Sequence, residues 1–239
     1  MAVTVDIKAL LEAGVHFGHK TSRWHPKMAP YIHSKRQESH IIDLTKTVEG
    51  LDKALPFLTQ VVASGKQVLF VGTKKQAKDL VRTTAERVNQ PFVTERWVGG
   101  MLTNVGTMTQ QIKKLKDLES RMASGDLEKR YNKLEVQRFQ EEIDALNEKY
   151  GGIKNLNGKP GVVFVIDVLT DVNAIKEAKT LGVPVVALVD TNADPSDIDY
   201  VIPSNDDAIK GLELMLNYVA AAVAEGAGSV KQADTKEEK

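Results

Sequence analysis

All five histidines of the chain fall between His16 and His40, in a stretch that also holds Lys20, Arg23, Trp24, Lys27, Tyr31, Lys35 and Arg36. Lysine and arginine neutralise phosphates, and flat Trp, Tyr and His rings offer faces for unstacked bases or sugars. Mixed without a clear period, these residues fit recognition of folded RNA. A loop packed on its own sheet, with Trp24 and Tyr31 as anchors, would use the same residues. Imidazoles also bind zinc, which takes three or four N, S or O ligands in tight geometry. His16 and His19 lie three apart and would start such a site. The remaining histidines match no standard spacing, so Asp43 or Glu49 would have to complete it through the fold.

A second group surrounds Gly72-Thr-Lys-Lys75, which follows an apolar run and precedes a helical one. Backbone amides at such a turn grip phosphate, helped here by Lys74 and Lys75. The chain contains neither G-x-x-x-x-G-K-[ST] nor G-x-G-x-x-G, the two patterns that specify nucleotide phosphates. Asp167, Asp171, Asp190 and Asp194 stand near strand ends, where an enzyme would hold Mg²⁺ or a ribose. Capping and loop turns explain them without chemistry, with Asp171 and Asp206 placed to cap helices. There is no cysteine, hence no disulfide, thiolate ligand or thiol nucleophile.

The elements that must position these groups alternate. A short helix runs from Thr4 or Asp6 to Ala13, and Thr21–Pro30 reads as loop. Tyr31–His33 and His40–Leu44 read as short strands around the turn Ser34–Ser39. A helix from Thr45 carries Val48, Leu51, Leu55, Leu58 and Val62 on one face, with a kink or break expected at Pro56. Apolar strands at Gln67–Val71, Pro91–Thr94, Gly161–Ile166, Val185–Val189 and Tyr200–Ile202 alternate with helices at Lys74–Asn89, Asp167–Lys179 and Asp206–Ala224. Continuous apolar strands between helices imply a parallel sheet covered on both faces. From Glu225 the composition has little to bury, so residues 225–239 are expected to be a disordered tail.

An arm interrupts this alternation. Asn104–Ala123 places Ile112, Leu115, Leu118 and Met122 at three- and four-residue steps, and Leu127–Tyr150 places Tyr131, Leu134, Ile143 and Leu146 on a similar seam. Around the turn Ser124-Gly-Asp126 they predict an antiparallel coiled-coil hairpin about 30 Å long. Charge is segregated along the chain. Residues 1–110 carry 15 basic and 9 acidic side chains, whereas residues 159–228 carry 4 and 11. With a net charge of zero, this suggests a basic face toward a polyanion and an acidic face toward solvent or a basic protein. The N-terminus lacks the basic and apolar regions of a signal peptide, and no apolar run reaches the roughly 18 residues of a membrane span. A cytoplasmic chain is expected.

Between the first half and the arm stands Glu95-Arg-Trp-Val-Gly-Gly-Met-Leu-Thr-Asn104. It closely resembles the Arg-Trp-x-Gly-Gly-x-Leu-Thr-Asn pattern of the bacterial small-subunit ribosomal protein family numbered two. Leu10–His19, Trp24–Ile32, Pro160–Asp167 and Gly182–Pro195 resemble the other signatures of that family, and the likeness runs from about Val5 to Ala224. It implies a non-enzymatic component of the small ribosomal subunit, acting in translation on the cytoplasmic ribosome. It implies binding of ribosomal RNA between head and body, and support for attachment of the large mRNA-binding ribosomal protein numbered one.

The combined reading is an α/β fold, a flavodoxin-like parallel sheet flanked by helices with an inserted coiled-coil hairpin. Residues 1–103 and 151–224 form the body, 104–150 the hairpin and 225–239 the tail. Expected RNA contacts are Lys20, Arg23, Trp24, Lys27, Lys35, Arg36, Lys74, Lys75, Arg96, Trp97 and Asn104, the last also a candidate cap for the first arm helix. Expected partners are small-subunit ribosomal RNA and neighbouring ribosomal proteins, with no membrane, small-molecule substrate or required cofactor.

Overall fold

A computed structural model of the chain describes residues 4–237. Helix α1 (Ile7–Glu12) starts at Asp6, whose carboxylate accepts the Lys8 N–H. Strands β1 (Phe17–Lys20), β2 (Ile32–Arg36) and β3 (Ser39–Ile42) then form a small antiparallel sheet in the order β1-β3-β2. The sequence does not announce β1, because four residues of mixed exposure show no period. A 3₁₀ turn at Pro26–Tyr31 occupies the second half of the loop expected over Thr21–Pro30.

Helix α2 (Leu44–Ala63) runs as one element through Pro56. The break expected there is absent because Pro56 and Asp52 lie on the exposed side, where water can take the carbonyl that Pro56 leaves unbonded. The main sheet is parallel, with β4 (Val68–Val71), β5 (Phe92–Val93), β6 (Val162–Val165), β7 (Val185–Val189) and β8 (Tyr200–Pro203) in the order β5-β4-β6-β7-β8. Counted along the chain this is 2-1-3-4-5, the flavodoxin-like order, and its reversal point lies between β4 and β6. Alternate residues feed two cores. Val68, Phe70, Phe164, Val186 and Leu188 meet α1, α2, α3 (Lys78–Arg87) and α8 (Ile209–Glu237). Leu69, Val71, Val163, Val165 and Ala187 meet α7 (Val172–Thr180) and the arm. Burial on both faces is why these strands are apolar at every position.

The arm consists of α4 (Val105–Ala123), α5 (Asp126–Arg130) and α6 (Lys133–Tyr150). Met108, Leu115, Leu118, Ile143 and Tyr150 join the second core, so its apolar face is continuous with the body. The predicted seam is only partly used, since Leu134 is 60% and Tyr131 39% exposed. Lys114 pairs with Glu142 and Glu119 with Asn147, both 28 positions apart. Partner numbers that rise together do not follow one regular antiparallel register.

The boundary expected at Glu225 falls inside α8, which continues to Glu237. Gly226 lies so close to α2 that a Cβ would stand 2.5 Å from the Thr59 carbonyl oxygen and 2.9 Å from Val62 Cβ, and Ala227 packs on the core. A run of small residues thus makes this crossing possible rather than leaving nothing to bury. Replacing Gly226 with Val should lower stability by about 1–3 kcal/mol through overpacking, read as an earlier urea midpoint. An unchanged midpoint would show that α8 does not cross α2 here.

Candidate nucleic-acid interface

The small sheet gathers the cations. Ser39 is in register with Lys20 on one side and Arg36 on the other, so the three side chains share a face. Arg23 follows in a turn in which its N–H donates to the Lys20 carbonyl. Lys20, Arg23, Lys35 and Arg36 are exposed, and none has an acidic partner among the described residues. Lys35 lies opposite His40, on the other face. Trp24 is 38% exposed, with its ring 5.0 Å from that of His40. Burial, then the Lys35 charge, lowers the His40 pKa, and neither ring nitrogen has a partner. The Trp24 ring therefore rests on a neutral imidazole and keeps part of its surface open.

Close contact fixes this sheet to the body. A Cβ on Gly18 would stand 2.6 Å from Thr191 Cγ2, so only glycine lets β1 approach so near. The His19 N–H then donates to Thr191 Oγ1 at 2.9 Å, and the His25 N–H to the Thr191 carbonyl at 2.7 Å. A hydrogen bond to Asp190 raises the His19 pKa, opposed by burial and reinforced by the Asp190, Asp206 and Asp207 charges. His16 behaves differently: burial lowers its pKa, and its ring lies 4.1 Å from that of Phe17. His16, weighed with His19 as the start of a zinc site, does not join the one metal-type group found among the described residues. Among the described residues, His19 groups instead with Asp206 and Asp207.

Other expected contacts have internal partners. Lys27 Nζ donates to Asp194 Oδ2 at 2.9 Å and to Ser196 Oγ at 2.6 Å. The bond from Lys27, then those from the Ser196 side chain and N–H, hold the Asp194 carboxyl well below its usual range. Lys74 lies at the reversal point of the sheet, 2.7 Å from both Asp206 Oδ1 and Asp207 Oδ1 and 3.7 Å from Asp167 Oδ2. Burial alone would lower its pKa, but the bonds to Asp206 and Asp207 raise it further, so the ammonium stays charged. Burial, then the Asp190 charge, pushes the Asp206 carboxyl up to about 7, with Lys74 opposing. One ammonium does not balance the acids around it.

Asp171 stands at the α7 N-cap position but makes no cap bond; it accepts from the Thr73 N–H and Oγ1. Burial pushes its carboxyl up to about 6, against those bonds. Side chains thus fill the crevice where a doubly wound sheet would take a nucleotide. Only Lys75 of that turn is exposed.

The Arg-Trp-Val-Gly-Gly segment is held by one carboxylate. Glu177 on α7 accepts from Trp97 Nε1 at 3.0 Å, from the N–H groups of Gly100, Leu102 and Thr103 at 2.8–3.1 Å, and from Thr103 Oγ1 at 3.1 Å. Trp97 is buried and serves as a donor and core residue, not as a stacking surface. Asn104 caps α4 by accepting the Thr107 N–H. Arg96 is exposed and has no acidic partner among the described residues, while neighbouring Glu95 is taken by Lys78 and Arg82.

With this geometry established, the comparisons decide the family. The family model described as ribosomal protein S2 matches residues 10–226. The chain belongs to the ribosomal protein S2 family. It is 50% identical over 222 residues to the small ribosomal subunit protein uS2 of Chloroflexus aggregans (strain MD-66 / DSM 9485), covering 93% of each chain. It is 49% identical to uS2 of Roseiflexus sp. (strain RS-1), over 93% of this chain and 84% of that one. With uS2 of Geotalea uraniireducens (strain Rf4) it shares 50% over 235 residues, 97% of this chain and 91% of the relative. Membership makes this S2-family chain a structural, non-enzymatic protein of the cytoplasmic bacterial ribosome. No described helix is long and apolar enough to cross a membrane.

The Glu177 clamp has a signed pH dependence. Burial opposes ionisation of Glu177, but the bonds from Trp97, Gly100, Leu102 and Thr103 win and lower its pKa. Its contribution is therefore present above the unfolded value of 4.5 and is lost as pH falls through the folded one. Glu177→Gln, which puts an amide N–H₂ against donors, should cost about 2 kcal/mol at neutral pH. The deficit should shrink below pH 4.5 in urea titrations across pH; a deficit independent of pH would refute the charged clamp.

Proposed function

We propose that the small antiparallel sheet of this S2-family chain binds ribosomal RNA of the small subunit through Lys20, Arg23, Lys35 and Arg36. Lys75 and Arg96 add flanking contacts, and Trp24 provides a surface for a base or sugar. The observation that carries this reading is the register that sets Lys20 and Arg36 on either side of Ser39. Two strand spacings separate them by roughly 10 Å, with Arg23 beside them and no acid paired to any of the three among the described residues. Such a cluster attracts a phosphate backbone and releases its counterions on binding. Lys27, Lys74, Trp97 and Asn104 contribute indirectly, by fixing the elements that carry the exposed cations.

The chain acts as a scaffold and makes or breaks no bond. It sits between the head and body of the subunit and helps attach the large mRNA-binding ribosomal protein numbered one. The family likeness supports both placements, and the acidic balance of residues 159–228 supports a side turned away from RNA. The arm, a short coiled-coil-like extension, supplies a further contact with neighbours in the subunit. Its exposed Leu134 and Tyr131 support that role.

The test is re-binding of the purified chain to small subunits depleted of it, followed by sedimentation at several salt concentrations. Replacing Lys20, Arg23 and Arg36 together with Gln should weaken binding and reduce the salt slope by roughly 2–3. Lys27 is left intact because its loss would also break the Asp194 pair. Unchanged affinity and slope in the triple variant would remove this sheet from the RNA interface.

A further inference from the structure

A groove of about 370 Å³ runs between α2 and α8, lined in part by Asp52, Leu55, Pro56, Thr59, Ala222 and Glu225. Its walls are held together at one end. Thr59 Oγ1 donates to the Ala222 carbonyl at 3.0 Å, and Gly226 brings α8 against the Thr59 carbonyl. The floor is apolar, with Leu55 and Ala222 buried, while Asp52 and Pro56 are exposed. No lysine or arginine lines this groove.

Pro56 gives the groove an acceptor that a regular helix would not offer. Proline has no N–H, so the Asp52 carbonyl one turn earlier receives no helical bond. Asp52 and Pro56 both line the cavity, with that carbonyl between them. The Asp52 carboxylate makes no ion pair or hydrogen bond among the described residues, and Glu225 adds a second acid on the α8 side. A carbonyl and two carboxylates over an apolar floor match a side chain with an apolar stem and a positive head. Acceptors drawn from two helices suit the divergent donors of an ammonium better than the planar fork of a guanidinium. Residues 159–228 hold 4 basic and 11 acidic side chains, so the field on the α8 side also favours a cation.

We propose that this groove docks a lysine-bearing segment of a basic neighbouring protein. The lysine stem lies on Leu55, Pro56 and Ala222. Its ammonium replaces water at the Asp52 carbonyl and is neutralised by the Asp52 and Glu225 carboxylates. An apolar side chain beside the lysine covers the rest of the floor. The same acids repel a phosphate backbone, which favours protein over RNA. The groove uses none of the cations of the small sheet, so its occupancy is independent of RNA binding there.

The test titrates the purified full-length chain, labelled at leucine and alanine methyls, with N-acetyl-Leu-Lys-Leu amide and follows it by NMR. Signals of Leu55 and Ala222 should shift and saturate. The same peptide acetylated at the lysine Nζ should bind roughly tenfold more weakly. Pro56→Ala returns a helical bond to the Asp52 carbonyl and should weaken binding roughly threefold to tenfold without loss of stability. Asp52→Asn should weaken it by a similar factor and leave the circular dichroism spectrum unchanged, whereas the triple variant of the small sheet should bind as the parent does. Absence of saturable shifts at these methyls, equal binding of the acetylated peptide, or full affinity in both the Pro56 and Asp52 variants would overturn the site. Shifts there with a ribosomal RNA fragment and none with the peptide would assign the groove to nucleic acid and overturn it equally.

Discussion

Three carboxylates converge on the ammonium of Lys74 at the reversal point of the parallel sheet, and the rest of the molecule is arranged around that contact. Lys74 follows β4, Asp167 follows β6, and Asp206 and Asp207 follow β8, so one ammonium joins three strand ends. A neighbouring tie, Thr73 to Asp171, closes the β4 side. In a nucleotide-binding relative of this architecture the same edge stays open for a ligand. Here it is spent on internal bonds, which makes the sheet a rigid mount.

What the mount holds is charge. Gly18 allows β1 to lie against Thr191, and the backbone bonds of His19 and His25 to Thr191 complete the seat of the small sheet. The exposed lysines and arginines of that sheet have no acidic partner among the described residues, whereas those nearer the body do. A ribosomal scaffold needs this division. Paired cations fix the shape, and the proposed RNA contact falls to the unpaired ones.

Much of the architecture was legible because burial on both faces writes continuous apolar runs. Val68–Val71, Val162–Val165 and Val185–Val189 could be read directly as strands, and the helices between them by their period. The arm's apolar steps were also visible, but not which side chains face the body, since Leu134 and Leu115 look alike in a heptad pattern. Pairings across the fold left no local trace. Glu177 is one of 32 acidic residues, and its donors lie 74–80 positions away. Lys74 after a glycine turn reads the same whether its ammonium faces a phosphate or an aspartate 132 positions on. Lys20 and Arg23 have no acidic partner among the described residues, but nothing in their local sequence distinguishes them from Lys74.

The most direct measurement is hydrogen–deuterium exchange of the chain, free and assembled into the small subunit. The account predicts new protection across Phe17–Ile42 and near Lys75 and Arg96. It predicts little change at Gly72–Lys74 and Ser204–Asp207, which are already closed by their own bonds. Protection centred on that crevice, with the small sheet exchanging as in the free chain, would contradict it.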